Sequence, residues 1–221
     1  MTVVEDASGY QGYADCILAP QTVEELAAAL QRAASLGVAV TPSGAGTGIT
    51  GGRCPQGGWL ISTERLRRLE VDRGRATVGA GVLLRDLQAA AARTGQFYAP
   101  DPTEWTASLG GNIATNASGS RSFRYGSTRR HLLSLTAVFI DGTVRTFRRG
   151  EPLDFPYEPV RQVATTKNTA GYYLPEGATW TGLLCGSEGT LAVVAEAEVS
   201  LLPQPQSLLA GVVFFEDQDA A

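Results

Sequence analysis

The 26 glycines of this chain gather in three stretches instead of recurring at a period, and that distribution limits the fold more than any other feature. Only glycine lets backbone take positive φ or lie against another group with no Cβ in the way. A cluster of glycines therefore marks backbone set hard against something, and a bound ligand is the first candidate. The 221 residues can bury a substantial core as one large domain or two joined lobes. With 43% hydrophobic and 18% charged residues, neither disorder nor a fibrous repeat is indicated.

Several classes of function are set aside by what is absent or sparse. A net charge of -4 and a pI near 5.1 offer no basic field for nucleic-acid phosphates. Cys16, Cys54 and Cys185 are widely separated, with no Cys-x-x-Cys, so neither a disulfide framework nor a thiolate metal site is expected, and a reducing compartment fits. Glu5 and Asp6 stand where a signal peptide needs cationic then apolar residues. No apolar run approaches the roughly 20 residues that span a bilayer, and a soluble, cytoplasmic protein is expected. His131 is the single histidine, there is no Gly-x-Ser-x-Gly elbow and no Walker A run, so a zinc-histidine site, a Ser-His-Asp hydrolase and a P-loop are all disfavoured.

Along the chain, Thr22-Val23-Glu24-Glu25 reads as a capping box, followed by apolar residues at helical spacing up to Gly37. Short strands are expected at residues 38–40, 58–62, 69–72 and 76–78, and a second helix over residues 83–93 that stops at Gly95. Residues 98–126 are mostly loop signals, and so long a loop usually carries function. Residues 135–140, Asp141-Gly142 and residues 143–147 spell a hairpin with a tight primed turn. Late strands are expected at residues 183–185, 191–194 and 198–202, and another at 212–215 before an acidic stretch.

Gly46-Thr47-Gly48-Ile49-Thr50-Gly51 satisfies the dinucleotide pattern Gly-x-Gly-x-x-Gly, and Glu70 lies near the spacing of its ribose-binding acid. The pattern works only where a helix begins at the third glycine, so that its N-terminus faces the diphosphate. Gly52, Pro55, Gly57 and Gly58 follow instead, which argues against a Rossmann unit. What remains is Pro42-Ser43-Gly44-Ala45-Gly46-Thr47-Gly48, small residues leaving a strand with N–H groups free to converge on an anion such as a diphosphate, or else a flexible surface loop. A second group joins Pro100-Asp101-Pro102-Thr103 to Ser108-Leu109-Gly110-Gly111-Asn112-Ile113-Ala114-Thr115-Asn116. Its short hydroxyl and amide side chains suit a planar ring with several polar edge atoms, or a helix start capped by Ser108. The third is Gly186-Ser187-Glu188-Gly189-Thr190-Leu191 with Val193-Val194, either a ribose contact through Glu188 or a turn entering a strand.

In their order these three segments resemble the FAD-binding domain of the vanillyl-alcohol oxidase superfamily, the PCMH-type or FAD-binding oxidase/transferase type 4 domain. The likeness covers about residues 15–210 and is greatest to the glycolate oxidase and D-lactate dehydrogenase branch. The resemblance implies that Pro42 to Gly48 holds the diphosphate of FAD. It places Pro100, Asp101, Pro102, Thr103, Ser108, Gly110, Gly111, Asn112, Ala114, Thr115 and Asn116 along the flavin, and Glu188, Gly189, Val193 and Val194 toward ribose and adenine. Arg124-Tyr125-Gly126 and Lys167-Asn168-Thr169-Ala170-Gly171-Tyr172-Tyr173 also look like family signatures, so Tyr125 and Gly126 join the expected cofactor contacts. Two positions depart from the pattern: Ala192 stands where glycine is common and Ala195 where threonine is common. The first glycine loop lacks the histidine to which many relatives attach their flavin, so FAD is expected to be non-covalent.

The implied fold is α+β in two lobes with FAD between them. A small β/α lobe would span residues 1–79 and a larger mixed or antiparallel sheet flanked by helices residues 80–210, with 211–221 beginning a substrate or cap domain. The implied activity is oxidation of a 2-hydroxy acid, glycolate- or D-lactate-like, by hydride transfer to FAD, with electrons passed to an acceptor or partner subunit. No catalytic residue is identified; Lys167, Arg124 and Tyr125 are candidates near the flavin, and Arg121, Arg124, Arg129 and Arg130 can attract an anionic substrate. Two alternatives stay open: a non-catalytic flavin-binding subunit that needs partner chains, and an NADPH-dependent reductase of a sugar-nucleotide enol ether.

Overall fold

The computed structural model describes residues 1–163, 165, 168–207 and 211–220. The chain opens on a hairpin, β1 (Thr2–Glu5) against β2 (Gln11–Ala14), which sequence alone did not suggest because its apolar alternation lasts only four residues a side. A three-stranded parallel sheet follows, ordered β3 (Cys16–Leu18), β5 (Trp59–Ser62), β4 (Val40–Ser43). Helix α1 (Val23–Ser35) makes the crossover between β3 and β4.

Helix α1 forms where the capping box places it. Thr22 Oγ1 accepts from Glu25 N at 3.2 Å, while Glu25 reaches back to Gln21 N at 2.7 Å, one residue earlier than the usual reciprocal bond. Gly37, at φ +65°, ends the helix. Its inner face buries Leu26, Leu30 and Ala33, and the two leucines contribute about 2–3 kcal/mol each by leaving water.

The second sheet has five antiparallel strands ordered β10 (Val144–Arg148), β9 (Leu132–Val138), β11 (Val193–Ser200), β7 (Arg75–Gly79), β6 (Leu69–Asp72). Strands β6 and β7 thus hydrogen-bond in the larger sheet. In sheet terms the first lobe ends after Ser62 and not near residue 79, because Ala76 and Val78 turn their apolar face to the larger core. A small pair, β8 (Gln96–Phe97) with β12 (Leu202–Pro203), lies apart. Leu26, Leu30 and Ile61 from the first lobe share one core with Val78, Leu135 and Val199 from the second. The architecture is α+β, as expected.

Other local expectations are corrected. The first core strand runs Val40–Ser43, two residues beyond the expected 38–40. The β9–β10 hairpin has a wider loop than a two-residue primed turn: Gly142 N donates to Phe139 O and Phe139 N to Thr143 O, both at 2.9 Å. Only Gly142, at φ +84°, takes the left-handed conformation, the glycine bulge of a three-residue loop. Residues 183–185 are not a strand. Thr179 Oγ1 accepts from Gly182 N at 3.2 Å and starts α5 (Trp180–Leu184), fully buried. Residues 191–202 give one long strand, β11, plus β12. Residues 212–215 form no strand; Val212, Val213 and Phe214 are exposed and meet no partner strand among the described residues.

Candidate functional site

One cleft lies between the lobes, and the three small-residue segments form its walls. The first leaves β4 as a loop at Ser43 and returns as β5, with no helix between. The Rossmann pattern therefore lacks the helix on which it depends, and Glu70 instead pairs with Arg68 at 2.9 Å on the outer surface. The second segment enters α3 (Leu109–Ala114), whose N-cap Ser108 accepts from Gly111 N at 3.3 Å. Capping and cleft wall, set out above as alternatives, are both present. The third is the turn after α5 that feeds β11.

Each segment touches the other two. Ala45 N donates to Ser108 Oγ at 3.3 Å, joining first to second. Gly186 N and Glu188 N donate to Ile113 O and Ala114 O at 2.9 and 2.8 Å, joining third to second. Gly189 lies so close to Pro42 that an added Cβ would come within 3.0 Å of its Cγ, joining third to first. Glycine is also required at 110, where a Cβ would stand 2.7 Å from the Ala80 Cβ. Among the described residues Glu188 is one of two non-glycine residues at positive φ, +55°, the other being Asn116 at +47°; such backbone strain concentrates at ligand sites.

The walls present unused donors. Among the described residues the N–H groups of Gly46, Thr47 and Gly48 have no partner. Asn112 is 4% exposed, lines the cleft, and its Nδ2 is buried without a hydrogen bond. A buried amide donor left unmatched is unfavourable, so the site is complementary to a ligand that supplies acceptors. The cleft has a cavity volume of about 290 Å³ and is open along its mouth, which puts it at the lower end of the roughly 300–1,000 Å³ of small-molecule pockets. Loop amides for an anion and a buried amide for a polar ring edge together fit FAD.

Of the residues expected at a cofactor, Pro42, Ser43, Gly44, Ala45, Gly46, Thr47, Gly48, Pro102, Ser108, Gly110, Gly111, Asn112, Ala114, Thr115, Glu188, Gly189, Val193 and Val194 line the cleft. Pro100, Asp101, Thr103, Asn116, Tyr125 and Gly126 do not. Asp101 accepts from Ser120 Oγ at 3.2 Å and pairs with Arg121 at 3.3 Å, and its carbonyl closes on Gly119. Asn116, buried, accepts from Arg129 N at 3.0 Å and holds the turn before the 3-10 helix Thr128–His131. Tyr125 and Gly126 end α4 (Ser122–Tyr125). Lys167 lies outside the described residues.

Sequence reasoning missed Asp6, Thr50, Gly52, Arg53, Thr63, Glu104, Ala107 and Ala192. Asp6 opens the turn of the overlooked hairpin, and its carboxylate pins the far end of the glycine loop, accepting from Gly51 N at 2.7 Å and from Ser8 and Tyr10. The Ser8 hydroxyl is the main reason its pKa lies below the ordinary aspartate value, with the loop and hairpin amides adding to it and burial opposing. Ala7 N donates to Gly48 O at 3.0 Å beside it. His131, the single histidine, is away from the cleft. Its Nε2 donates to Tyr125 O at 3.0 Å, since a carbonyl only accepts, leaving Nδ1 to meet Ser200 Oγ at 3.1 Å. Among the described residues no cluster of metal-ligating side chains occurs, and no helix is long and apolar enough to cross a membrane.

The family model of the FAD binding domain matches residues 14–148. D-lactate dehydrogenase of Archaeoglobus fulgidus is 38% identical over 208 residues, covering 93% of this chain and 42% of that protein. Glycolate oxidase subunit GlcD of Bacillus subtilis is 35% identical over 217 residues, covering 96% of this chain and 42% of that protein. The chain thus spans about two fifths of the length of these relatives. In solved structures, 6-hydroxy-D-nicotine oxidase from Arthrobacter nicotinovorans shares the fold with a TM-score of 0.70 at 22% identity, over 88% of this chain and 38% of that one. By its sequence and by the cleft it folds, the chain belongs to the FAD-binding domains of the PCMH type, in the vanillyl-alcohol oxidase superfamily, among relatives of glycolate oxidase and D-lactate dehydrogenase.

Proposed function

We propose that this chain is the cofactor-binding part of a cytoplasmic flavoenzyme that oxidises a small 2-hydroxy acid, of the glycolate or D-lactate kind, and hands the electrons to an acceptor or partner subunit. The observation that carries the proposal is the edge-to-edge joining of three glycine-bearing segments around one cleft with unused donors, in a domain whose family binds FAD. The names of the relatives supply the substrate class. The three free cysteines Cys16, Cys54 and Cys185 suit a reducing compartment.

In this reading the N–H groups of residues 46–48 hold the diphosphate, Asn112 Nδ2 meets a polar atom of the ring, and Glu188 at the turn before β11 takes a ribose hydroxyl. Bound FAD supplies the two-electron acceptor that the side chains lack. The protein's own contribution is to hold the ring, through α3 and its Ser108 cap, and to keep water from its buried edge. The cofactor is non-covalent, because no histidine stands in the glycine loop.

The test is direct. After incubation with FAD and dialysis, the protein should keep flavin absorbance, release it on acid precipitation and melt about 5–10 °C higher at a hundredfold excess over Kd. Loss of all flavin on dialysis with no thermal shift would refute the reading. A second reading keeps the cofactor but makes the chain a flavin-binding subunit that turns over only with partner chains. Anaerobic bleaching of the bound flavin by a hydroxy acid would decide against it.

A further inference from the structure

A diphosphate brought into this cleft meets mostly negative charge. Asp6, Glu104 and Glu188 line it, and Arg53 is the one lysine or arginine to do so among the described residues. Asp6 and Glu104 are already engaged. Asp6 takes the donors of Ser8, Tyr10 and Gly51, and Glu104 accepts from Thr106 N and Oγ1. Arg53 is not engaged. It is half-buried, its Nε is buried without a partner, and among the described residues none of its nitrogens makes a hydrogen bond or ion pair. A guanidinium offers five donors in a rigid fork, and burying part of one with none matched is unfavourable unless an anion completes it.

The backbone fixes where that fork stands. Gly51, at φ +75°, turns the loop back, Gly51 N is held by Asp6 at 2.7 Å, and Cys54 N donates to Gly51 O at 2.9 Å. Cys54 Sγ donates to Tyr10 O at 3.2 Å, so the residue after Arg53 is anchored as well. Arg53 is thereby folded over the start of the loop, with its Nη1 in the space a Cβ on Gly46 would take. It lies against Gly46, the first of the three residues whose N–H groups have no partner among the described residues.

We propose that the Arg53 guanidinium is the counter-ion of the cofactor diphosphate, acting beside the loop amides. The inference rests on the FAD reading above and adds to it the residue that offsets the charge. A bidentate guanidinium also selects a dinucleotide over a bare flavin, because the ring carries no anionic group to match it.

Wild type, Arg53→Met and Arg53→Lys are titrated with FAD by quenching of flavin fluorescence at low and moderate salt, and the apoproteins are melted. Methionine keeps much of the apolar stem. Arg53→Met should weaken FAD binding by about 10- to 100-fold and flatten its salt dependence. Arg53→Lys should fall between, keeping the charge but not the fork. The melting temperature of the Arg53→Met apoprotein should hold or rise, since no hydrogen bond or ion pair of the described residues is lost. FAD binding by Arg53→Met within about twofold of wild type, at the same salt slope, would overturn the inference alone. So would a lower melting temperature of the apoprotein with an unaltered salt slope, which marks a structural arginine. Failure of wild type to take up FAD would overturn the cofactor reading, and this inference with it.

Discussion

Replacing Asn112 by leucine should stabilise the apoprotein and weaken FAD binding, two effects of opposite sign from one side chain. Asn112 is 4% exposed and its Nδ2 has no hydrogen bond, whereas leucine has a similar shape and no donor to strand. Removing an unmatched buried donor gains about 1–2 kcal/mol, the lower part of the range for such groups. A few tenths more come from leucine's better helix propensity in α3. For a chain of 221 residues each kcal/mol moves the melting temperature about 2–4 °C, so the apoprotein should melt about 2–8 °C higher. When FAD binds, the variant leaves an acceptor of the ligand unmatched, a loss of about 1–2 kcal/mol or about 5- to 30-fold in Kd. Scanning calorimetry of the apoprotein and a fluorescence titration measure the two terms separately. A lower melting temperature with an unchanged Kd would show that the amide is matched within the fold and does not face the ligand.

Gly110→Ala places a methyl 2.7 Å from the Ala80 Cβ and 3.0 Å from its carbonyl oxygen, and the overpacking should cost about 1–3 kcal/mol; urea midpoints unchanged from wild type would contradict that geometry. Burial is the chief reason the pKa of His131 lies below 6.5. Because the folded value is the lower one, the unfolded chain binds the proton more readily, and the stabilisation present above about pH 6.5 is lost as the pH falls through the folded value. His131→Gln should flatten that part of the stability profile, and an identical slope in the variant would count against the assignment. Burial raises the Cys185 thiol to about 12 and also raises Cys54, both inside the fold. A native thiol titration should therefore register Cys16 first and all three only after unfolding, and fast native reaction of all three would refute it.

Much of the site was legible in the sequence because its chemistry is carried by backbone. Glycines at 46, 110 and 189 are needed by positive φ or close approach, and such needs leave a mark in residue identity. The capping box of α1 and the glycines that stop α1 and α2 (Leu84–Ala92) were legible for the same reason. Less visible were features that arise only when distant segments meet. Asp6 and Arg53 belong to no motif; their importance comes from the hairpin β1–β2 lying under the loop. Residues 183–185 looked like a strand because a fully buried helical turn and a buried strand share an apolar run, and five residues are too few to show a period. Tyr125 and Gly126 carry the likeness of a family signature, yet their place is a helix end that supports the single histidine.

The opening hairpin has a practical consequence. Its tip holds both the carbonyl end and the amide end of the glycine loop, through Ala7 with Gly48 and Asp6 with Gly51, so the shape of this wall of the cleft is set from the opening hairpin. Affinity tags or proteolytic trimming at that hairpin act on cofactor loading before they touch the core. Preparations that differ only in their first ten residues are then expected to emerge with different flavin content while folding equally well.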